Sequence, residues 1–421
     1  MALQFSKVLR LLVVFSGVYG AVNTVAWTAP LEPSTAQNLP ELRLSLREAM
    51  EASVDQNPTV RLFKERIAQA KDVADTQLGE LLPNLSGTMG GSRRRFFTGS
   101  FGAQATVVGP RDFYEARAFL TQNVFSLSLI QKWRAAKAGV DVAGLDAEVT
   151  KRDTMASTGL IYLEALRAKA AVDARTADVV LNKELLRLAS ERKSAGMATS
   201  LDVTRAKVQL ENARQRLLIA ENGRDRAKLN LIRSMGLSFD VRLVLTDEMK
   251  LVEVSEQSIV EALQVAKENR TELKAQKNRG LIGNQIPDML TTDNVQVLMR
   301  VPIFDGGQRE GRISESRSLV RQEEIKTQDV QYQVALEVRD ALLTLSSAKE
   351  QVVVAEEGLK LALTELELSR ERFAVGVATN IEVTDAQTRV AQARDNLIEG
   401  LFTFNASRLS LARAQGQLEK L

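Results

Sequence analysis

Between residues 338 and 373, apolar or small side chains recur at spacings of three and four without a break: Val338, Ala341, Leu345, Ala348, Val352, Ala355, Leu359, Ala362, Leu366, Ser369 and Phe373. That period places them on one stripe of an α-helix, and its alternation of large and small residues lets a neighbouring helix approach closely. No proline occurs from residue 305 to the C-terminus. Ring geometry therefore interrupts nothing there, and the pattern predicts a helix over residues 311–375. A less pure stripe, with Arg175 and Asn182 in seam positions, predicts another over residues 127–195. Each would be on the order of 100 Å long at 1.5 Å per residue, more than an ordinary globular domain holds. Amphipathic runs predict return helices over 200–235 and 380–414. Further helical segments are predicted over 44–74, broken near Asn57-Pro58, and over 258–280.

Elsewhere the period is two. Tyr114, Ala116, Ala118, Leu120 and Val124 alternate with Glu115, Arg117, Phe119, Thr121 and Asn123, giving one apolar and one mostly polar strand face. With residues 83–91 this predicts a β-hairpin joined by a long loop that carries Arg93, Arg94 and Arg95. Farther on, Val295, Val297, Met299, Val301 and Ile303 alternate with Asn294, Gln296, Leu298, Arg300 and Pro302, and the partner strand has to fit into 286–292. This second hairpin region spans 17 positions, from Pro287 to Phe304, against 42 from Pro83 to Phe125. A strand needs about 9–11 residues to cross a membrane. Two expectations follow: residues up to 280 unwind to lengthen the third strand, or the barrel is incomplete. A short strand is also expected over 241–245.

The helical pattern occurs twice. Shifting residues 371–397 back by 180 lays them on 191–217 with eleven of 27 positions identical, among them Arg192/Arg372, Gly196/Gly376, Thr199/Thr379 and Leu217/Leu397. A tandem duplication explains that agreement. In each copy the glycine sits where a helix end needs a left-handed residue, and the threonine stands where the next helix is N-capped. The turn is only a few residues long, so the two helices run antiparallel and side by side.

Composition narrows the chemistry. The chain has neither Cys nor His, which removes zinc fingers, thiol chemistry, Ser-His-Asp triads and imidazole catalysis. No phosphate-binding glycine loop or metal-ligand cluster appears, so no enzyme activity and no cofactor or metal is expected. Lys and Arg number 56 against 53 Asp and Glu, scattered along the helices, and no nucleic-acid patch results. Lys7 and Arg10 precede an apolar run at 11–22, a pattern for export with cleavage near residue 26. No later stretch reaches the roughly 18 apolar residues of a membrane helix.

The chain therefore divides into a signal peptide (1–26), a linker (27–43), short helices (44–82), a first β-hairpin (83–125) and a first long helical hairpin (126–236). A connection (237–257), a second short helical part (258–282), a shortened β-hairpin (283–304), a second long helical hairpin (305–416) and a tail (417–421) complete it. Two hairpins supply four strands, whereas the smallest membrane barrels have eight. Several chains must share a barrel, and three would give twelve strands. Arg117, Thr121, Asn123, Gln296 and Arg300 would line its water-filled lumen, with Leu120, Val124, Val295, Val297 and Met299 facing lipid.

At residues 301–308, VPIFDGGQ, followed by a long helix and by RFAVGVATNIEVTDAQ, the chain resembles the TolC-type outer membrane efflux protein family. The first copy repeats both motifs more faintly as LTQNVFS and RKSAGMATSLDVTRA, and the similarity spans residues 44–416. The resemblance implies a mainly α fold in which long antiparallel coiled-coil helices form a trimeric α-barrel, with four strands per chain in a shared twelve-stranded outer-membrane β-barrel. It implies a homotrimer in outer-membrane lipid, an outer-membrane exit channel for small molecules or exported polypeptide. Its helical hairpin tips, at Gly196, Thr199, Gly376 and Thr379, would meet a periplasmic membrane-fusion adaptor and an inner-membrane pump. Glu382 and Asp385 match the family's pair of entrance aspartates and would ring the pore. Phe373 stands where some members carry a gate tyrosine, and Ala378 where an arginine can lock the closed state against the residue matching Asp202. A salt-bridge latch of that type is thus not expected. Two alternatives stay open: Glu382 and Asp385 as ordinary carboxylates of a first helical turn, and the whole chain as a soluble periplasmic coiled-coil scaffold or adaptor.

Overall fold

The computed structural model describes residues 40–97, 107–123, 125–252, 257–279 and 306–420. The expected signal peptide and the second β-hairpin, with Gln296 and Arg300, lie outside the described residues. From Glu41 onward the chain forms one compact unit. It runs through β1 (Glu41–Leu44), α1 (Leu46–Gln56), α2 (Pro58–Gly79), β2 (Asn84–Phe97), β3 (Val107–Thr121), α3 (Leu127–Ser194) and α4 (Ser200–Met235). The second half follows as β4 (Arg242–Leu245), α5 (Ile259–Asn269), α6 (Thr271–Arg279), α7 (Gln308–Ala374) and α8 (Asn380–Gln415), with a 3₁₀ turn at Leu418–Lys420.

Helix ends obey local chemistry. Ser45 and Glu48 form a capping box at the start of α1, and Ser258 and Glu261 repeat it at α5. The Ser45 backbone N–H and hydroxyl both donate to the Glu48 carboxylate and hold its pKa below the usual value. Asn57 ends α1 in an extended conformation and caps α2, whose first residue is Pro58, a position where the missing N–H costs nothing. Gly236 and Gly416 end the two return helices with φ of +72° and +69°. A Cβ on Gly236 would stand 2.5 Å from the carbonyl oxygen of Gln56, and one on Gly416 would stand 3.0 Å from that of Asn269. In both copies the end of a short helix is thus docked on the glycine that ends a return helix.

One difference from the expectation concerns residues 41–44, assigned above to the linker and the first short helix. They form β1, which pairs in parallel with β4 from Glu41 opposite Arg242 to Leu44 opposite Leu245. Four residues carry too short a period to be read alone, and pairing with a segment far along the chain decides their state. Leu44, Leu243 and Leu245 join Met50, Tyr162, Leu231, Met235 and Leu409 in one apolar cluster that ties the sheet to both long helical hairpins. Tyr162 is fully buried there, its hydroxyl 3.0 Å from the Leu44 carbonyl and 3.1 Å from the Asp247 carboxylate, and burial pushes the phenol pKa upward.

The seam of α7 packs as its period requires. Nine of its eleven residues are buried, with Ala355 and Leu359 half-buried. In α3 the seam's polar positions are partnered, Arg175 partly from α8 and Asn182 within its own helix. Arg175 donates to Asp178 at 3.0 Å and to Asp395, Arg394 donates to Asp178 at 2.7 Å, and Asn182 donates to the Asp178 carbonyl at 2.8 Å. A helix stripe interrupted by charge is here completed by opposite charge from the other hairpin.

β2 and β3 pair antiparallel, Asn84 opposite Thr121 and Arg93 opposite Asp112, with an irregularity between Arg94 and Phe96. Arg93, Arg94 and Arg95 therefore belong to a strand and not to the loop expected from sequence. β3 ends at Thr121, so Asn123 stands beyond the strand and donates to the Glu80 carbonyl at 2.9 Å. The side chain thereby ties the end of β3 to the end of α2. Among the described residues no helix is long and apolar enough to cross a membrane.

Candidate functional site

The helical hairpin tips carry most of the residues singled out by sequence. Gly196 and Gly376 adopt φ of +76° and +86°. In each turn the next residue's N–H reaches back to close the helix end, Met197 to Arg192 at 2.8 Å and Val377 to Arg372 at 2.9 Å. Thr199 caps α4 through a reciprocal box: its N–H and hydroxyl donate to the Asp202 carboxylate at 2.9 and 2.7 Å. These bonds, the hydroxyl's first, hold the Asp202 carboxyl below its usual pKa. Thr379 occupies the matching position of α8 with no side-chain cap bond. The residue three positions on is Glu382, whose carboxylate is turned to Arg372 at 3.0 Å.

Asp385 lies on the exposed face of α8, next to the buried Val383 and Ala386. Phe373, at the position of the gate tyrosine, is buried in the seam with Leu185, Leu366, Val383 and Val390. Burial follows from its place as the last member of the stripe.

Periodicity alone assigns no role to Arg192, although it is one of the eleven positions shared by the repeats. The residue is 9% exposed, and its guanidinium lies 4.3 Å from the centre of the Phe373 ring and donates to the Phe373 carbonyl. The Nδ2 of Asn380 also donates to the Asp202 carbonyl at 3.4 Å. With alanine at 378, the tips are fastened by an arginine on an aromatic ring and a main-chain oxygen, without a carboxylate partner for that arginine.

At the other end of α3, the strand pair presents two unlike faces. Leu85, Met89, Tyr114 and Leu120 lie on one and are exposed. Asn84, Ser86, Thr88, Arg117 and Thr121 lie on the other, where Arg117 pairs with Glu115 at 2.8 Å. Tyr114 packs over Gly91, where a Cβ would meet its ring at 3.3 Å. Beyond this apolar stretch the same face carries the Arg93–Asp112 ion pair at 3.3 Å. The strands, 14 and 15 residues long, exceed the roughly 9–11 that a membrane crossing needs. Among the described residues no cluster of carboxylates is arranged to hold a metal ion.

A family model described as outer membrane efflux protein matches residues 49–237 and 264–417. The chain belongs to this family. Protein CyaE of Bordetella pertussis is 24% identical over 94% of this chain and 88% of its own. Outer membrane protein TolC of Escherichia coli is 20% identical over 72% of this chain and 69% of its own. The crystal structure of the Campylobacter jejuni CmeC outer membrane channel superposes with a TM-score of 0.71 at 15% identity, covering 89% of this chain and 86% of that one. As an outer membrane efflux protein the chain has the mainly helical fold of these channels and resides in the outer membrane. Its family and the solved structures like it are channels and not enzymes.

Proposed function

We propose that this outer membrane efflux protein is the exit duct of an efflux or type I secretion system, in which three copies share one barrel and their helical tips meet a periplasmic adaptor and an inner-membrane pump. The observation that carries this reading is the continuity of two opposed chemistries in one chain. An amphipathic strand pair leads directly into a helix of 68 residues whose far end is a tight polar turn. An exposed face of Leu85, Met89, Tyr114 and Leu120 suits hydrocarbon, and the Arg93–Asp112 pair suits its boundary with water.

Glu382 and Asp385, repeated in three chains around the tips, supply a cation-selective constriction. Arg372 offsets Glu382 in this state, so Asp385 contributes more of the net negative field. Replacing both carboxylates by alanine is expected to lower cation preference and block by divalent cations in planar lipid bilayers. Unchanged selectivity would reduce them to charges of a first helical turn. A soluble scaffold is disfavoured by the same apolar strand face. Wild-type protein is expected to sediment with outer membranes and to need detergent for release.

A further inference from the structure

The strand pair has a helical end and a far end. α2 stops at Gly79 and α3 starts at Leu127, both close in sequence to the paired residues Asn84 and Thr121, so the helical body joins the strands there. In an outer-membrane protein whose helices extend into the periplasm, the opposite end, with Arg93, Arg94 and Arg95, is the one that meets the outer leaflet. Period two puts Arg93 and Arg95 on the face of Leu85 and Met89. Arg94 lies on the other face with Ser92, to whose hydroxyl its Nε donates at 3.1 Å. The irregularity in pairing leaves this alternation intact. From Arg94 to Phe96 β2 advances by two residues while β3 runs from Arg111 to Val108, so the extra residue belongs to β3. On the apolar face Arg93 meets Asp112 across the ladder at 3.3 Å. Opposite Arg95 stand Gly109 and Pro110, which bring no charge, and Arg95 is exposed without an ion pair among the described residues.

Depth agrees with charge. Counted from Leu85, eight residues lead to Arg93 and ten to Arg95. At about 3.4 Å per residue and a tilt of about 40°, they stand about 21 and 26 Å across the membrane, against an apolar band about 25 Å tall. Tyr114, opposite Gly91 and just inside Arg93, falls where aromatic rings take the headgroup boundary.

We infer that Arg93 and Arg95 form a site for the phosphate of an outer-leaflet lipid headgroup. A guanidinium offers its N–H fork to two phosphate oxygens at once. Two arginines against Asp112 leave one net positive charge on this face of each chain, and the apolar residues below receive the acyl chains. The inference rests on the outer-membrane channel reading and adds the lipid chemistry that the rim of the strands selects.

Full-length protein in a neutral detergent is titrated with lipid A in mixed micelles, and bound lipid is read by native mass spectrometry. Wild type is expected to bind lipid A about tenfold more tightly than lipid A stripped of its phosphates, the effect of one to two arginines at an anionic surface. Arg93→Gln with Arg95→Gln is expected to lose that preference, and Arg94→Gln, on the opposite face, to keep it. Inorganic phosphate at the same concentration is expected to leave bound lipid A in place, because the free anion brings no acyl chains. Displacement by phosphate alone means a soluble-anion site and overturns the assignment to lipid. Equal binding of the two lipids by wild type overturns the inference without any variant, and so does a loss in Arg94→Gln equal to that of the double variant. Wild type that neither inserts into lipid bilayers nor conducts sinks the channel reading, whereas wild type that conducts yet binds both lipids alike sinks only this site.

Discussion

Thr199 and Thr379 are the same residue at the same place in two copies, and they behave differently because their neighbours do. Asp202 is short and returns to Thr199, whereas Glu382 is long enough to reach Arg372. Thr199→Ala is therefore expected to cost about 1 kcal/mol, as lost N-caps do, and Thr379→Ala to cost little, measured as a difference in thermal midpoint. The Asp202 bonds also make the tip sensitive to acid. Its carboxyl has a folded pKa below its unfolded value, so the stabilisation is complete above about pH 4 and is lost as pH falls through the folded value. Asp202→Asn should remove that dependence. Gly236 is a different kind of residue-scale constraint, combining φ of +72° with a Cβ position 2.5 Å from a main-chain oxygen. Gly236→Ala must bear the left-handed cost of about 1–2 kcal/mol and displace the end of α1 as well. A visibly lower midpoint on denaturation is the expected result.

At the scale of elements, the seams decide which helices touch, and a charged cluster decides which touch in which register. Asp178 accepts from both Arg175 and Arg394 and sits at the centre of the cluster joining α3 to α8. Asp178→Ala leaves two guanidinium groups without their shared acceptor, and a loss on the order of 3 kcal/mol is expected for breaking such a buried arrangement. Replacing Arg175, Asp178, Arg394 and Asp395 together by apolar residues should recover much of it. If the single substitution is neutral in chemical denaturation, the cluster is solvated and the apolar seam alone sets the register. The strand pair obeys another rule, since its apolar face has no packing partner among the described residues. Its stability comes from pairing with further strands and from hydrocarbon.

For the whole molecule, the expected observable is mass. The channel reading calls for three copies that share one barrel. Wild-type protein in detergent is expected to give three chain masses by light scattering and to conduct ions when reconstituted. A stable single chain with no conductance would refute the channel reading at this scale. Both tips are fastened within the chain, by the buried Arg192 on Phe373 and by the more exposed pair of its repeat mate Arg372 with Glu382.

Much of this architecture is written in periodicity. A period of three and four over residues 338–373 determines a buried stripe by itself, because helix geometry leaves no other way to bury it. The duplication, the left-handed glycines and the Asn57-Pro58 break are equally legible, since each depends on neighbours within a few residues. Three things are decided only by tertiary structure. Residues 41–44 become a strand through β4, Asn123 finds the Glu80 carbonyl, and Arg192 finds its partner across the two hairpins. In each case the deciding group lies far away in sequence, and a local pattern carries no information about which distant surface will supply the missing hydrogen bond, ring or strand.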